Sequence, residues 1–342
     1  KHKQTKPIKT SSNISNWLPS WCPTSPTQLK DAEEKMLKGK QKREKLSFST
    51  HLHPNSSSLL PPRSQPRMPL VLLHGLGGGI GLWIQNLDAL SSCGPVYALD
   101  LLGFGRSSRP QFSTDPEGAE EDFVSALEEW RQKVGLEEMV LLGHNLGGYL
   151  SAAYTLKYPN RSKNLLDETK FHLFGSKLRG NRTMNKSIKS CLNGMVMIWA
   201  RFGAITSGHS PPSGPMLVKT IRSDFKQKYS AVFNDDTVSD YIYHLNAQTP
   251  SGETAFRNMT VPYGWAKRPM LERIDGVRAD IPISFIYGSR SSIDSNSGYE
   301  VKKTRPDVIR GAGHYVYADQ PEDFNHTVLR ILAWTEQKSA DN

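Results

Sequence analysis

Long apolar runs are missing from this chain. None of its 342 residues belongs to a stretch of roughly eighteen apolar positions, so no segment is predicted to span a bilayer. Cysteine is scarce as well. Cys22, Cys93 and Cys191 offer neither a paired framework nor a metal-ligand spacing. That excludes a disulfide scaffold, gives no metal site, and points to a reduced, cytosolic protein. Acidic residues are in deficit, with 33 Asp and Glu against 43 Lys and Arg, a net charge of +10 and a pI near 9.4. This balance suits an anionic membrane or lipid surface. Nucleic acid is not expected as a partner, because the basic residues are spread out and no nucleic-acid motif is present. Lys1 to Thr10 carries four lysines with no apolar stretch behind them, which argues against a secretory signal. A hydrophobic content of 37% is low for a compact enzyme, so poorly packed segments are expected to dilute a real core.

What is present is a pattern of short strands, glycine turns and helices. Residues 1–68 read as a mostly disordered N-terminal region. Within it lie an aromatic island at 17–23 and a short charged helix over 27–38, with Thr27 as its N-cap. Order is expected from residue 69. Pro69–Leu73, Val96–Asp100 and Met139–Leu142 read as short apolar strands, each entering a turn, and Ile283–Tyr287 as a later strand. Residues 119–134 and 321–335 carry apolar residues at helical spacing. The alternation predicts an α/β fold: a mostly parallel sheet with helices on both faces, over 69–337, with residues 338–342 as a tail.

Gly143-His144-Asn145-Leu146-Gly147-Gly148 stands between a strand and a helix, the context of a nucleophile elbow, G-x-S-x-G. The central residue is Asn145. A carboxamide has no proton that a histidine can remove to make a nucleophile, and its oxygen attacks weakly. The other parts come in the expected order: Asp294 after a strand as the acid, then His314 as the base. The backbone N–H of Leu146 would donate to an oxyanion, with a second donor near Leu76 or Gly77. The acid, base and oxyanion positions are kept while the nucleophile is absent.

His74-Gly-Leu-Gly-Gly-Gly, Asp100-Leu-Leu-Gly-Phe-Gly-Arg-Ser-Ser-Arg-Pro, the elbow, Thr249-Pro-Ser-Gly-Glu-Thr-Ala-Phe and Gly313-His-Tyr-Val-Tyr-Ala-Asp-Gln-Pro resemble the family of α/β-hydrolase domain-containing protein 5. The likeness covers residues 17–38, 69–160 and about 216–325. It implies an α/β-hydrolase fold with a helical lid over about 195–275. It also implies a non-catalytic, lipid-droplet coactivator of adipose triglyceride lipase that promotes triacylglycerol breakdown, without a cofactor. Asn at the elbow separates this family from a close relative with Ser there. Lipid droplets and the cytoplasm are the implied location, and perilipin-type coat proteins are further implied partners. The alternative is a lysophosphatidic acid acyltransferase that takes acyl-CoA as substrate through an H-x4-D motif, here His314 and Asp319. In that reading His314 is the base and Asp319 orients it. The plainer reading makes His314 the triad histidine, with Asp319 capping the next helix.

The resemblance carries further positions. Arg290 and Gly313 map onto the lipase-activating surface, although Arg290 pairing with a local carboxylate is the plain alternative. Ser230 maps onto a phosphorylation site, but Gln227 stands where the family has a basic residue. Trp17, Leu18 and Trp21 would insert at a lipid interface, unless that island packs onto the domain. Asn13 replaces a third Trp of the family, so a weaker anchor is expected. Residues 161–194, basic from Arg161 to Lys189, depart most, and the sheet is expected to lose the strand after the elbow helix. Residues 46–66 similarly lack the family's first strands, and 302–310 look shortened. Trp199, Phe202, Tyr241, Tyr243 and Trp265 would line a lipid pocket or form plain core.

Overall fold

The computed structural model describes residues 24–38, 67–167, 214–261, 265–291, 301 and 306–340. The central sheet follows from the apolar runs. Strands β1 (Leu70–Leu73), β2 (Val96–Leu99) and β3 (Met139–Gly143) are buried along their whole length. Such strands need cover on both faces, which parallel sheets obtain from crossover helices. Here α2 (Leu87–Ser91) precedes β2, α3 (Pro116–Val134) precedes β3 and α4 (Leu146–Lys157) follows it. α3 starts where the Asp115 side chain accepts the Gly118 amide and stops at Gly135, which turns left-handed at φ 76°.

The expected loss of a strand after α4 does not occur. β4 (Ser162–Asp167) runs parallel between β3 and a later strand, β7. Leu165 and Leu166 bury fully on opposite faces, and the buried Asn164 side chain donates to Thr335 Oγ1 at 2.6 Å. Lys163, whose charge disguised the strand, reaches Glu138 at the partly exposed end. Two neighbours supplying ladder hydrogen bonds outweigh weak intrinsic strand propensity.

Among the described residues, the segment expected as the lid contributes four α-helices: α5 (Gly214–Ile221), α6 (Asp224–Lys228), α7 (Thr237–Asn246) and α8 (Gly252–Met259). A short hairpin, β5 (Thr260–Val261) with β6 (Trp265–Ala266), follows. Residues 195–213 lie outside the described residues. With β7 (Ile283–Gly288) and β8 (Asp307–Ile309), the sheet has six parallel strands among the described residues, in the order β2-β1-β3-β4-β7-β8. The chain closes with α9 (Val316–Asp319) and α10 (Pro321–Ala340), so the last helix runs beyond the expected end at 337.

The charged N-terminal helix also belongs to the folded body. α1 (Pro26–Lys38) buries Leu29, Ala32, Glu33 and Met36, packing against α7 and the 3-10 turn at Ile80–Trp83. The boundary expected at residue 69 therefore leaves out a core element. Ser25 caps this helix, accepting the Gln28 amide at 3.1 Å, and Pro26 takes the first helical position. Thr27 is already inside. Among the described residues no helix is long and apolar enough to cross a membrane.

Candidate functional site: an elbow that fills its own oxyanion hole

The elbow forms because two glycines let backbones meet. A Cβ at Gly143 would stand 2.3 Å from Gly147 C, and one at Gly147 would stand 2.2 Å from Leu73 O. Any larger residue at either place would push α4 away from the end of β1 and β3. Between them Asn145 takes φ 59°, ψ −118°, the one positive φ of a non-glycine among the described residues. Such a conformation costs roughly 1–3 kcal/mol and persists only where its surroundings impose it.

The Asn145 side chain turns into the site. Its Oδ1 accepts the Leu146 amide at 2.7 Å and faces the Leu76 amide at 3.4 Å. These are the two donors expected to form the oxyanion hole. The carboxamide oxygen thus stands where a developing oxyanion would stand. Gly77 shapes the turn at φ 69° and accepts from Asn246 Nδ2 at 3.0 Å through its carbonyl, so α7 supports the hole from the lid side.

On its other side Asn145 Nδ2 lies 3.2 Å from His314 Nε2. An amide NH2 can only donate, so Nε2 is the unprotonated nitrogen of that ring. Burial holds His314 down to about 4, helped by the positive charges of Arg222 and Lys228, and the ring stays neutral at physiological pH. His144, the residue before Asn145, is buried against the His314 ring and held well below its ordinary value by that burial. His74 is neutral too: Nε2 accepts the Leu101 amide at 2.9 Å, and Nδ1 stands 2.8 Å from Gly75 O.

Asp319 does not cap the next helix. One of its oxygens accepts the Gly313 amide at 2.8 Å, and the other pairs with Lys228 on α6. It thereby ties the histidine loop to a lid helix. Arg290 is exposed, and its backbone N–H donates to Ala312 O at 2.8 Å, so Arg290 and Gly313 lie on neighbouring loops beyond the end of β7. Gly313 has no positive φ, but a Cβ there would reach 3.0 Å from Asp319 Oδ2. Ser230 is exposed just after α6, its hydroxyl donating to Gln227 O at 2.8 Å. Asp294, Trp17, Leu18 and Trp21 lie outside the described residues.

Of the expected pocket aromatics, Tyr241 and Tyr243 are core. The buried Tyr241 hydroxyl accepts the Gly81 amide at 3.1 Å, and Tyr243 is 3% exposed. Trp265 is half-buried in the hairpin, and Trp199 and Phe202 lie outside the described residues. Lys228 and Asn246, which tie the lid to the site, carry no sequence motif and were not anticipated.

These features match known proteins. The family model for the α/β hydrolase fold matches residues 68–169. A Rattus norvegicus protein named 1-acylglycerol-3-phosphate O-acyltransferase ABHD5 is 50% identical over 330 residues, covering 90% of each chain. The chain belongs to the ABHD5 family. A Bos taurus (lyso)-N-acylphosphatidylethanolamine lipase is 46% identical over 326 residues, covering 90% of this chain and 92% of the lipase. Among solved structures, carboxylesterase CesB from Bacillus subtilis aligns with a TM-score of 0.59 at 18% identity, over 89% of this chain and 96% of that one. That likeness shows the fold alone. The ABHD5 relatives and the lipase stand close together in identity.

Proposed function

We propose that this protein is a non-catalytic coactivator of a triglyceride lipase at the lipid-droplet surface, a pseudoenzyme built on a hydrolase frame. The observation that carries the reading is the Asn145 carboxamide. It supplies no nucleophile, and its oxygen takes up both oxyanion donors. A site filled by its own side chain is suited to hold a surface rather than to turn over an ester. Arg290 and Gly313 offer that surface, since an exposed guanidinium can make a forked bond to a carboxylate on a lipase. Trp17, Leu18 and Trp21 would supply the attachment to lipid, and perilipin-type coat proteins would meet the same droplet population.

A second reading is favoured by the names of the relatives: acyl transfer from acyl-CoA to lysophosphatidic acid through His314 and Asp319. The contacts of Asp319 weigh against it, because its two oxygens are engaged by Gly313 and Lys228. One experiment separates the two. Purified protein is assayed beside a triglyceride lipase on emulsified triglyceride, and separately with acyl-CoA and lysophosphatidic acid. Raised lipolysis without acyl transfer supports the coactivator. Acyl transfer lost in His314→Ala supports the acyltransferase.

A further inference from the structure

The surroundings of Asn145 are those of a bound amide substrate. Its carbonyl oxygen lies on two backbone donors, at 2.7 Å from Leu146 N and 3.4 Å from Leu76 N. Its nitrogen, the leaving group of an amide hydrolysis, lies 3.2 Å from the unprotonated Nε2 of His314. An oxyanion site at the oxygen and a histidine at the leaving nitrogen are two of the demands of amide cleavage, the third being a nucleophile, which water supplies. We propose that Asn145 is a self-modification site, at which the protein hydrolyses its own side-chain amide to an aspartate, with His314 as the proton carrier and water as the only co-reactant.

The step balances without any other reagent. Water adds to Cγ as its proton passes to His314 Nε2, and the C=O electron pair moves onto Oδ1 between the Leu146 and Leu76 amides. The adduct then collapses. The Cγ–Nδ2 bond breaks, the proton passes from His314 to the departing nitrogen, and ammonia leaves behind a carboxylic acid at position 145, whose proton then passes to His314. Water and carboxamide become carboxylic acid and ammonia, and nothing is oxidised or reduced. A neutral imidazole is needed at the start, and burial keeps His314 neutral.

The ordinary route of asparagine loss gives a different product. That route requires the next backbone nitrogen to attack Cγ and yields a cyclic imide, which reopens to a mixture of aspartyl and isoaspartyl chains. Leu146 N instead donates to Asn145 Oδ1 at the first position of α4, fixed by the helix that follows. Asn193, followed by Gly194, is the chain's internal comparator, because glycine hinders backbone attack least. A carboxylate at 145 would hold His314 protonated, replacing a neutral hydrogen bond with an ion pair.

The test is peptide mapping of the full chain during incubation at neutral pH, with aspartyl and isoaspartyl isomers separated. Asn145 is expected to convert to the normal aspartyl isomer alone, while Asn193 gives both isomers. His314→Ala and His314→Gln are expected to slow the change at 145 on the order of a hundredfold and to leave Asn193 unaffected. The isomer pattern of the unmodified sequence is decisive even if both variants misfold. Asn145 persisting as amide after Asn193 has converted overturns the proposal. So does isoaspartate at 145, or a rate there that folded His314 variants leave unchanged.

Discussion

Asp319 holds Gly313 by its amide at 2.8 Å while its other oxygen holds Lys228 of α6. The loop that bears His314 is thus clasped to the lid by one carboxylate. Asp319→Ala should therefore cost more than Lys228→Ala, because it also frees a backbone donor. Losses of roughly 1–3 kcal/mol are expected for Asp319→Ala, since a bond to a charged group is broken in a mostly buried place. Urea denaturation of both single variants and the double variant measures this. A double variant that costs the sum of the singles would mean that the two side chains do not act together.

Buried ionisable groups shape the pH dependence from both sides. Burial pushes Glu33 up to about 8, with the negative charge of Asp100 adding to it, and pushes Asp100 up to about 6. The folded state holds these protons more tightly than the unfolded chain. Their contribution is present at acid pH and is lost as pH rises through the neutral range. His74 and His314 act in the opposite sense. Each is lowered from 6.5 to about 4 by burial, so their contribution is present above 6.5 and lost as pH falls through about 4. Glu33→Gln is expected to gain on the unaltered chain as pH rises from about 5 to about 8. Urea midpoints for both proteins across that window test it, and a constant difference would contradict the assignment.

Asn145→Ser should keep the elbow and restore a hydroxyl within reach of His314. A weak burst with a p-nitrophenyl ester is expected from it, and none from the unaltered protein, which has only the residual rate that a site lacking its nucleophile retains, on the order of 10³-fold over water. Asn145→Gly removes the bonds to Leu146 and His314, but it also relieves a positive φ, a relief of roughly 1–3 kcal/mol. Thermal unfolding close to that of the parent is the expected outcome. A large loss would mean that the carboxamide bonds outweigh the strain.

Helix α1 should behave as part of the domain. Met36 is fully buried against the lid helix and the Ile80–Trp83 turn, so Met36→Ala should destabilise the whole protein by about 2–5 kcal/mol. A single cooperative transition at lower denaturant is expected. A separate early transition confined to α1 would restore the domain boundary at residue 69.

The parallel sheet was legible because β1, β2 and β3 are continuous apolar runs and β7 is one interrupted by Ser284 alone, each closed by a turn residue. The elbow was legible because Gly143 and Gly147 are needed for contact. β4 was not legible, since Asn164 and Lys163 interrupt it and its stability comes from two neighbours distant in the chain. The Ser25 cap was missed because Ser25, Thr27 and Pro26 offer competing starts within three residues. Asn145 could be read as a lost nucleophile, but the place of its oxygen depends on Leu76, brought there by the Gly-rich turn after β1. The Lys228–Asp319 clasp joins residues 91 positions apart, with no pattern that local reasoning could use.

On the proposed reading this hydrolase frame acts through its surface and not through an acyl-enzyme. The most direct measurement is triglyceride lipase activity on emulsified substrate with Arg290→Ala, Gly313→Ser or Asn145→Ala added in place of the unaltered protein, beside circular dichroism and droplet-flotation controls. Arg290→Ala and Gly313→Ser are expected to lose activation at least tenfold while folding and floating normally, and Asn145→Ala is expected to activate about as well as the parent. Full activation by both surface variants, or loss of activation in Asn145→Ala alone, would contradict the account.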